Sequence, residues 1–356
     1  MKKIAVIFGG TGFIGLHFSK FLLTKAGISH VVLADIKPPE QHVASVFVQD
    51  YIAAGKISYI QCDVRKPIDR NLVSREGTVT LIANFAAVHR EPGHEPHEYY
   101  ETNIPGARHV CQYAESIDCR DIIFTSSISP YGPTETPKNE QSVPTPETAY
   151  GGSKLAAELI HVAWRDRDQS NRRLLTVRPG VVFGPGEGGN VSRLVRTLSK
   201  GFFVYAGNEH TRKAGIYVEE LCNAIWWLHE RRESSAPAAT LANMTMNPGP
   251  SMSEYVEAVK ATSGRKAWVP SIPVWSLLLA ARLIETIAAI FRINTSINVV
   301  RIRKLVRSNN IIPDTLQSEG YIYLYSLASA MSDWRDQMPS EWALQTSETL
   351  TAQKQA

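Results

Sequence analysis

Cysteine is scarce in this chain of 356 residues: Cys62, Cys111, Cys119 and Cys222 are the only four, none in CxxC spacing. That scatter points to neither a disulfide framework nor a zinc site and suits a reducing compartment. Net charge is nearly as spare. A formal +4, from 38 Lys and Arg against 34 Asp and Glu, supplies no basic face for nucleic acid, and no recognition motif for one occurs. The 44% hydrophobic and 20% charged content is ordinary for a globular protein and excludes disorder and repeat architectures. Apolar runs are short. The opening Met1-Lys-Lys-Ile-Ala-Val-Ile-Phe8 looks like a secretory leader, but glycines break its apolar run after five residues, as in a buried first strand. The chain therefore reads as cytoplasmic, folding as one complex domain or two intimate ones.

What is present is an alternation of strand and helix signals through the first half. Strands are expected at Ile4–Phe8, Val31–Asp35, Ile57–Cys62, Thr80–Ala87, Asp121–Ser127 and Leu174–Pro179, with helices to about Lys25, over Ile104–Ser116 and over Tyr150–Trp164. This pattern predicts an α/β fold with a doubly wound parallel sheet of the Rossmann type and a smaller C-terminal lobe. Past Gly184 the alternation weakens. Val191–Ser199 reads as helix, Phe202–Ala206 as strand, Gly215–Leu228 as a return to the main sheet, and Ser251 with Glu254 as the capping box of a helix reaching Ser263. The expected division is 1–184 with 215–242 as the dinucleotide-binding domain and 185–214 with 243–313 as the substrate lobe. A C-terminal segment, 314–345, and a frayed polar tail, 346–356, follow.

Two motifs carry chemistry. Gly9, Gly12 and Gly15 follow a predicted strand and open a predicted helix. Glycines there permit a tight turn and close backbone approach, and the helix amino terminus offers unpaired N–H groups to a pyrophosphate. Asp35, at the end of the second strand, would accept hydrogen bonds from ribose hydroxyls and repel a 2′-phosphate, which favours NAD over NADP. Asp63 and Val64, after the third strand, are candidates to meet the adenine. The second motif is Tyr150-Gly-Gly-Ser-Lys154, read with Thr125-Ser126-Ser127. Residues four apart share a helix face, so the Lys154 charge is expected to draw the Tyr150 phenol down from about 10 toward the range of a general base.

With these elements in order, the chain resembles the extended short-chain dehydrogenase/reductases, the NAD-dependent epimerase/dehydratase group. The matching residues include Gly9–Gly15, Asp35, Asp63-Val-Arg65, Phe85-Ala-Ala87, Glu101-Thr-Asn103, Ser126–Gly132, Tyr150 with Lys154, Arg178–Pro185 and Tyr217–Glu220. Within the group it is most similar to bacterial sugar 4-epimerases of surface-polysaccharide (O-antigen) pathways, those acting on polyprenyl-diphosphate N-acetylglucosamine included. The resemblance implies bound NAD, held by Gly9, Gly12, Phe13, Ile14, Gly15, Asp35, Asp63, Val64, Ala86, Ala87, Asn103, Lys154 and Pro179. It implies catalysis by Tyr150 as acid–base, Ser127 as hydrogen-bond donor to the reacting oxygen and Lys154 as the group holding nicotinamide ribose. Substrate contacts are implied for His89, Ser127, Ser129, Tyr150, Asn190, Arg212 and Lys213, with Arg212 or Lys213 on a diphosphate. A homodimer through the helix after Asn103 and the one carrying Tyr150 is likewise implied.

Two departures narrow the reaction. Sugar 4,6-dehydratases carry Thr-Asp-Glu where this chain has Ser127-Ile128-Ser129, so water elimination lacks its carboxylates. UDP-hexose 4-epimerases place Asn where Val181 aligns, which casts doubt on the usual UDP grip. His94 and His97, with Glu91 and Glu95 around them, do not make a metal site, and no metal is expected. Residues 273–293 are apolar apart from Arg282 and Glu285; they read either as a helical hairpin buried in the lobe or as an apolar surface against a membrane. Arg292, Arg301, Arg303, Lys304 and Arg307 follow and would suit anionic headgroups or a lipid diphosphate.

Three functions compete on this reading. The first is a 4-epimerase of a hexose or N-acetylhexosamine on UDP or polyprenyl diphosphate. The second is an NAD-dependent dehydrogenase or reductase of a keto-sugar or hydroxysteroid-like alcohol. The third is a nucleotide sensor without chemistry, against which the intact Tyr150, Lys154 and Ser127 argue.

Overall fold

The computed structural model describes residues 2–73, 77–91, 93–234, 239–291 and 306–343. Seven parallel strands form the main sheet: β1 (Lys3–Phe8), β2 (His30–Asp35), β3 (Ile57–Gln61), β4 (Thr78–Asn84), β5 (Asp121–Thr125), β6 (Arg173–Pro179) and β7 (Ala239–Met244). Their spatial order is β7-β6-β5-β4-β1-β2-β3, with the order reversing between β1 and β4. Phe8 lies level with Ala34 on one side and Asn84 on the other. Open sheets of this kind bind ligands beyond the strand carboxyl ends at the switch point.

Alternation along β1 shows why the sheet is covered on both faces. Ala5 and Ile7 enter a core with Leu16 and Phe18 of α1 (Phe13–Lys25) and with Leu221, Ile225 and Leu228, which lie on a later helix. Ile4, Val6 and Phe8 enter the opposite core with Val110 and Tyr113 of α2 (Pro96–Ser116) and Ala157 and Trp164 of α3 (Ala149–Asp166). The Val, Leu, Ile and Phe side chains among these each contribute about 1.5–3 kcal/mol on full burial.

Several ends differ from expectation. The fourth and fifth strands stop at Asn84 and Thr125, so Phe85–Ala87 and Ser126–Ser127 leave the sheet as loops. α2 starts at Pro96 rather than Ile104, capped by Glu95 and Glu98, and keeps Pro105 inside it. Of the strand expected over Phe202–Ala206, Tyr205–Ala206 pairs with Ser271–Ile272, and Phe202 makes a single bridge to Trp268. β7 was not among the expected strands.

The chain divides into two compact units, the first of Met1–Val182, Ala214–Gly249 and Asn309–Tyr323. It contains the sheet and the helix α5 (Val218–Ser234), and Asn309–Ile311 runs alongside Thr134–Lys138. The second unit is Phe183–Lys213, Pro250–Ser308 and Leu324–Ala356. It holds α4 (Asn190–Ser199), α6 (Met252–Ser263), α7 (Val274–Phe291) and α8 (Leu327–Gln337). Phe183 packs against Tyr255 and Trp334 at its centre. Ser251 and Glu254 form the expected capping box. Within 273–293 the described part, Val274–Phe291, is one continuous helix, α7, rather than a hairpin, with Trp275, Leu279 and Leu283 more than 60% exposed. No helix among the described residues is long and apolar enough to cross a membrane. Arg292, Arg301, Arg303, Lys304 and the 346–356 tail lie outside the described residues.

Candidate active site

The glycine turn joins β1 to α1. Gly9 takes φ +73°, and a Cβ there would lie 2.5 Å from the Ala86 nitrogen, so the turn and the loop after β4 touch through backbone alone. At Gly15 a Cβ would fall 2.6 Å from the carbonyl oxygens of Gly9 and Gly10, which lets α1 start directly under the turn. A Cβ on Gly10 would be as tightly enclosed, 2.6 Å from the Ile7 oxygen. Gly12 caps α1 with no side-chain hydrogen bond. The leading amides of a helix have no intrahelical acceptor, so those of Phe13, Ile14 and Gly15 face the turn without a capping side chain. Asp35 closes the other side: its carboxylate accepts from the Thr11 N–H at 3.2 Å and the Ile36 N–H at 2.7 Å.

This cradle fits a dinucleotide, with Gly9–Gly15 for the pyrophosphate and Asp35 for the ribose. Ala86 and Ala87 flank it on the loop after β4. Asp63 takes a bidentate grip on Arg65, with 2.8–3.1 Å contacts, and that guanidinium holds its carboxyl below the usual range. Val64 is buried over Gly106, and its carbonyl pairs with His109 Nδ1 at 2.9 Å. Asn103 is 4% exposed and is spent as a clip: Oδ1 accepts from Val88 N–H, and Nδ2 donates to Val88 O and to Ser153 Oγ. It ties the loop bearing Ala86 and Ala87 to α3.

α3 brings Tyr150 and Lys154 to the carboxyl end of β5. Thr148 caps it by accepting from the Gly151 N–H at 3.1 Å, a cap that Thr-x-x-Gly spacing could have flagged. Ser127 (8% exposed) donates to Ser129 Oγ at 3.0 Å, and its hydroxyl lies near enough to Tyr150 to act on the phenol. Pro179, ending β6, holds this turn by accepting from the Ile128 N–H at 3.1 Å. Lys154 is 2% exposed. Its Nζ donates to the Thr125 carbonyl at 2.7 Å and lies 4.8 Å from the Phe124 ring centroid. The three groups therefore share one strand end.

Their electrostatics within the chain itself run against one expectation. Burial pushes the Tyr150 phenol up to about 12, opposed by the nearby Ser127 hydroxyl and reinforced by Glu91 and Tyr99. Burial also pulls Lys154 down to about 7, opposed by Glu158. Within the chain itself desolvation outweighs the attraction expected between Lys154 and Tyr150. Beneath them His161 stacks on Phe124 at 4.1 Å, and burial holds its imidazole down at about 4. Its Nδ1 pairs with Ala157 O and its Nε2 with the Asn84 amide, which marks it as a neutral core histidine.

His89 is exposed on the loop after β4, in the same unit as Tyr150. Asn190, Arg212 and Lys213 belong to the second unit. There the exposed Asn190 opens α4 and accepts from Arg193, Arg212 bridges to Ser251, and Lys213 Nζ donates to Arg307 O at 2.5 Å. Glu158, Arg178, Tyr131 and Asn243 were missed as site residues. Only Glu158 carried a signal, four residues after Lys154 on the same helix face.

A model of the NAD dependent epimerase/dehydratase family matches residues 5–241, more than half of the chain. The N-acetyl-alpha-D-glucosaminyl-diphospho-ditrans,octacis-undecaprenol 4-epimerase of Escherichia coli O157:H7 is 24% identical over 331 residues, 93% of this chain and 94% of that protein. The UDP-glucose 4-epimerase of Neisseria meningitidis serogroup B is 32% identical over 167 residues, 45% of this chain and 47% of its own. Among solved structures, the UDP-glucuronic acid 4-epimerase of Bacillus cereus in complex with NAD superposes with a TM-score of 0.73 at 16% identity, covering 96% of this chain and 100% of that one.

Proposed function

The chain belongs to the NAD dependent epimerase/dehydratase family, and from that premise we propose that it is an NAD-dependent 4-epimerase of a diphosphate-linked hexose or N-acetylhexosamine. One observation carries the reading: the Ser127 turn is packed against the first turn of α3, which sets the Ser127 hydroxyl near the Tyr150 phenol beside the buried Lys154, at the strand ends next to the glycine turn. An alcohol oxygen between the two hydroxyls would have both a proton acceptor and a hydrogen-bond donor.

Bound NAD supplies a hydride acceptor and a positive ring charge that favours phenolate at Tyr150 against the pull of burial. Tyr150 then takes the hydroxyl proton in the oxidising half and, as a weak acid, returns it to the ketone in the reducing half. Ser127 donates to the same oxygen in both. Lys154, fixed by the Thr125 carbonyl, would hold the cofactor's ribose and keep a cation beneath the site. With Ser127-Ile128-Ser129 in place of an acid pair, this turn supplies no carboxylate for water elimination.

The carrier we favour is polyprenyl diphosphate. Support comes from the apolar Val181, from the match to the undecaprenyl-linked epimerase over 94% of that protein, and from the exposed apolar stripe of α7, which suits the cytoplasmic face of a membrane; on this reading the enzyme serves surface-polysaccharide (O-antigen) assembly. Arg212 and Lys213 would meet the diphosphate. A homodimer through α2 and α3 accounts for the exposed Tyr100 and Leu159 on those helices. Incubation with UDP-N-acetylglucosamine and with its undecaprenyl-diphosphate counterpart, reading C4 configuration by NMR, tests the assignment. Inversion of the lipid-linked sugar, lost in Tyr150→Phe, is expected; inversion of neither sugar overturns it.

A further inference from the structure

Glu158 and Arg178 form an ion pair that stability does not explain. Both are below 10% exposed, and the guanidinium grips the carboxylate through Nε at 2.8 Å and Nη2 at 2.6 Å. Removing two charges from water costs roughly what their attraction returns, so such pairs are better explained by the geometry they specify than by added stability.

The geometry here runs from one half of the acid–base site to the other. Glu158 sits one turn beyond Lys154 on the same face of α3. Arg178, near the end of β6, lies over the Tyr131 ring with its Cζ 4.6 Å from the centroid. Tyr131 is fully buried, closes the turn that carries Ser127 and Ser129, and donates from its hydroxyl to Asn243 Oδ1 at 3.0 Å. Asn243, on β7, is pinned in turn: its N–H donates to Glu140 at 2.7 Å and its Nδ2 to Ile312 O at 2.9 Å. An unbroken set of contacts thus links α3, which bears Tyr150 and Lys154, to the Ser127 turn. We propose that Glu158 and Arg178 are positioning residues of this site, holding the Ser127 turn against α3 and a negative group beneath the Lys154 ammonium.

The charge part follows from what surrounds Lys154. Its contacts are a neutral carbonyl and an aromatic ring, which stabilise a cation without balancing it. On α3 the titratable neighbours are Tyr150, Glu158 and the neutral His161. His89 lies on the loop after β4, Tyr131 on the turn after β5, and Arg178 on β6. Glu158 is the one charge among these that favours the ammonium, and it opposes the burial that pulls Lys154 down.

The inference rests on the acid–base reading of Tyr150 and Lys154, so the experiment needs a readout apart from turnover. We would follow Lys154 directly in the holoenzyme by NMR of 13C-labelled lysine, assigning its signal by its loss in Lys154→Met, alongside the pH profile of kcat. Glu158→Gln removes the carboxylate that opposes the burial of Lys154 and leaves Arg178 without its ion-pair partner. It should move the Lys154 midpoint down by about one pH unit or more, carry the alkaline limb of kcat with it, and lower kcat by roughly 10²-fold at near-constant KM. Glu158→Asp should keep the midpoint while losing part of kcat, and Glu158→Gln/Arg178→Met should fall between wild type and Glu158→Gln. The double variant, neutral as a pair, keeps the test open if Glu158→Gln does not fold. Unmoved Lys154 midpoints across the folded variants overturn the proposal, even where stability falls. A moved midpoint in an enzyme that epimerises neither sugar preserves it and rejects the substrate reading instead.

Discussion

Gly151 and Ser129 meet with no room between them: a Cβ on Gly151 would lie 2.7 Å from the Ser129 carbonyl oxygen. The contact presses the first turn of α3, which bears Tyr150, onto the turn that bears Ser127. Neither partner can yield cheaply, because the atom met is backbone, and Ser129 N–H is itself bonded to Ser127 Oγ at 3.1 Å.

Gly151→Ala therefore sets two effects against each other. Alanine favours the helix by up to about 1 kcal/mol, while overpacking costs roughly 1–3 kcal/mol. The expected outcome is a protein destabilised by thermal unfolding and slowed by about 10²-fold in epimerisation, since small misplacements of reacting groups are costly. Undiminished turnover in a variant of equal or higher Tm would show that the two turns can separate without consequence.

Lys154 gives a pH dependence of stability. Its side chain is buried and its folded value lies near 7, below the ordinary lysine value of about 10.4. Between those limits the unfolded chain binds the extra proton, so stability rises with pH through this window, by up to about 1.4 kcal/mol per unit from this group. Below pH 7 the burial penalty is fully felt. Chemical unfolding of wild type and Lys154→Met from pH 6.5 to 10 should show a wild-type stability that climbs relative to the variant. Parallel curves would mean that Lys154 is solvated in the native state.

What could be read in the sequence was local. The glycine turn, Asp35 at the end of β2, the helix that places Tyr150 and Lys154 on one face, and the Ser251–Glu254 box each rest on residues within a few turns of one another. What could not be read was depth and long-range return. Four-residue spacing shows that Tyr150 and Lys154 share a face, but not that Lys154 reaches back to Thr125 in a site dry enough to raise the phenol. β7 carries Thr240, Asn243 and Met244 in a short run and declares itself as a strand only by pairing with β6. Pro105 suits a first turn as well as it interrupts a helix, which hides the true start of α2 at Pro96. Glu158 and Arg178 are twenty residues apart, and nothing local joins them.

α7 carries the last prediction. Trp275, Leu279 and Leu283, at 70%, 63% and 61% exposure, recur at four-residue intervals. They therefore form one stripe, with Arg282 beside it and exposed. In the same unit Trp268 and Phe202 pair at 5.5 Å while Trp268 is 69% exposed, and the neighbouring Lys200 and Lys266 are exposed as well. Aromatics and leucines rimmed by cations match the interface of an anionic bilayer, the apolar groups entering the acyl boundary and the cations contributing about 1 kcal/mol each at the surface. The protein should co-sediment with phosphatidylglycerol vesicles at low salt and much less with phosphatidylcholine ones. Leu279→Ser/Leu283→Ser removes two side chains worth about 1.5–3 kcal/mol each when buried and should weaken vesicle binding by at least ~10²-fold. Turnover of a soluble short-chain substrate should be unchanged, because neither leucine belongs to the proposed catalytic machinery. Binding that survives the double substitution would remove α7 from the membrane contact. A change of oligomeric state on substitution, without any vesicle binding in wild type, would show that a second copy of the chain covers the stripe.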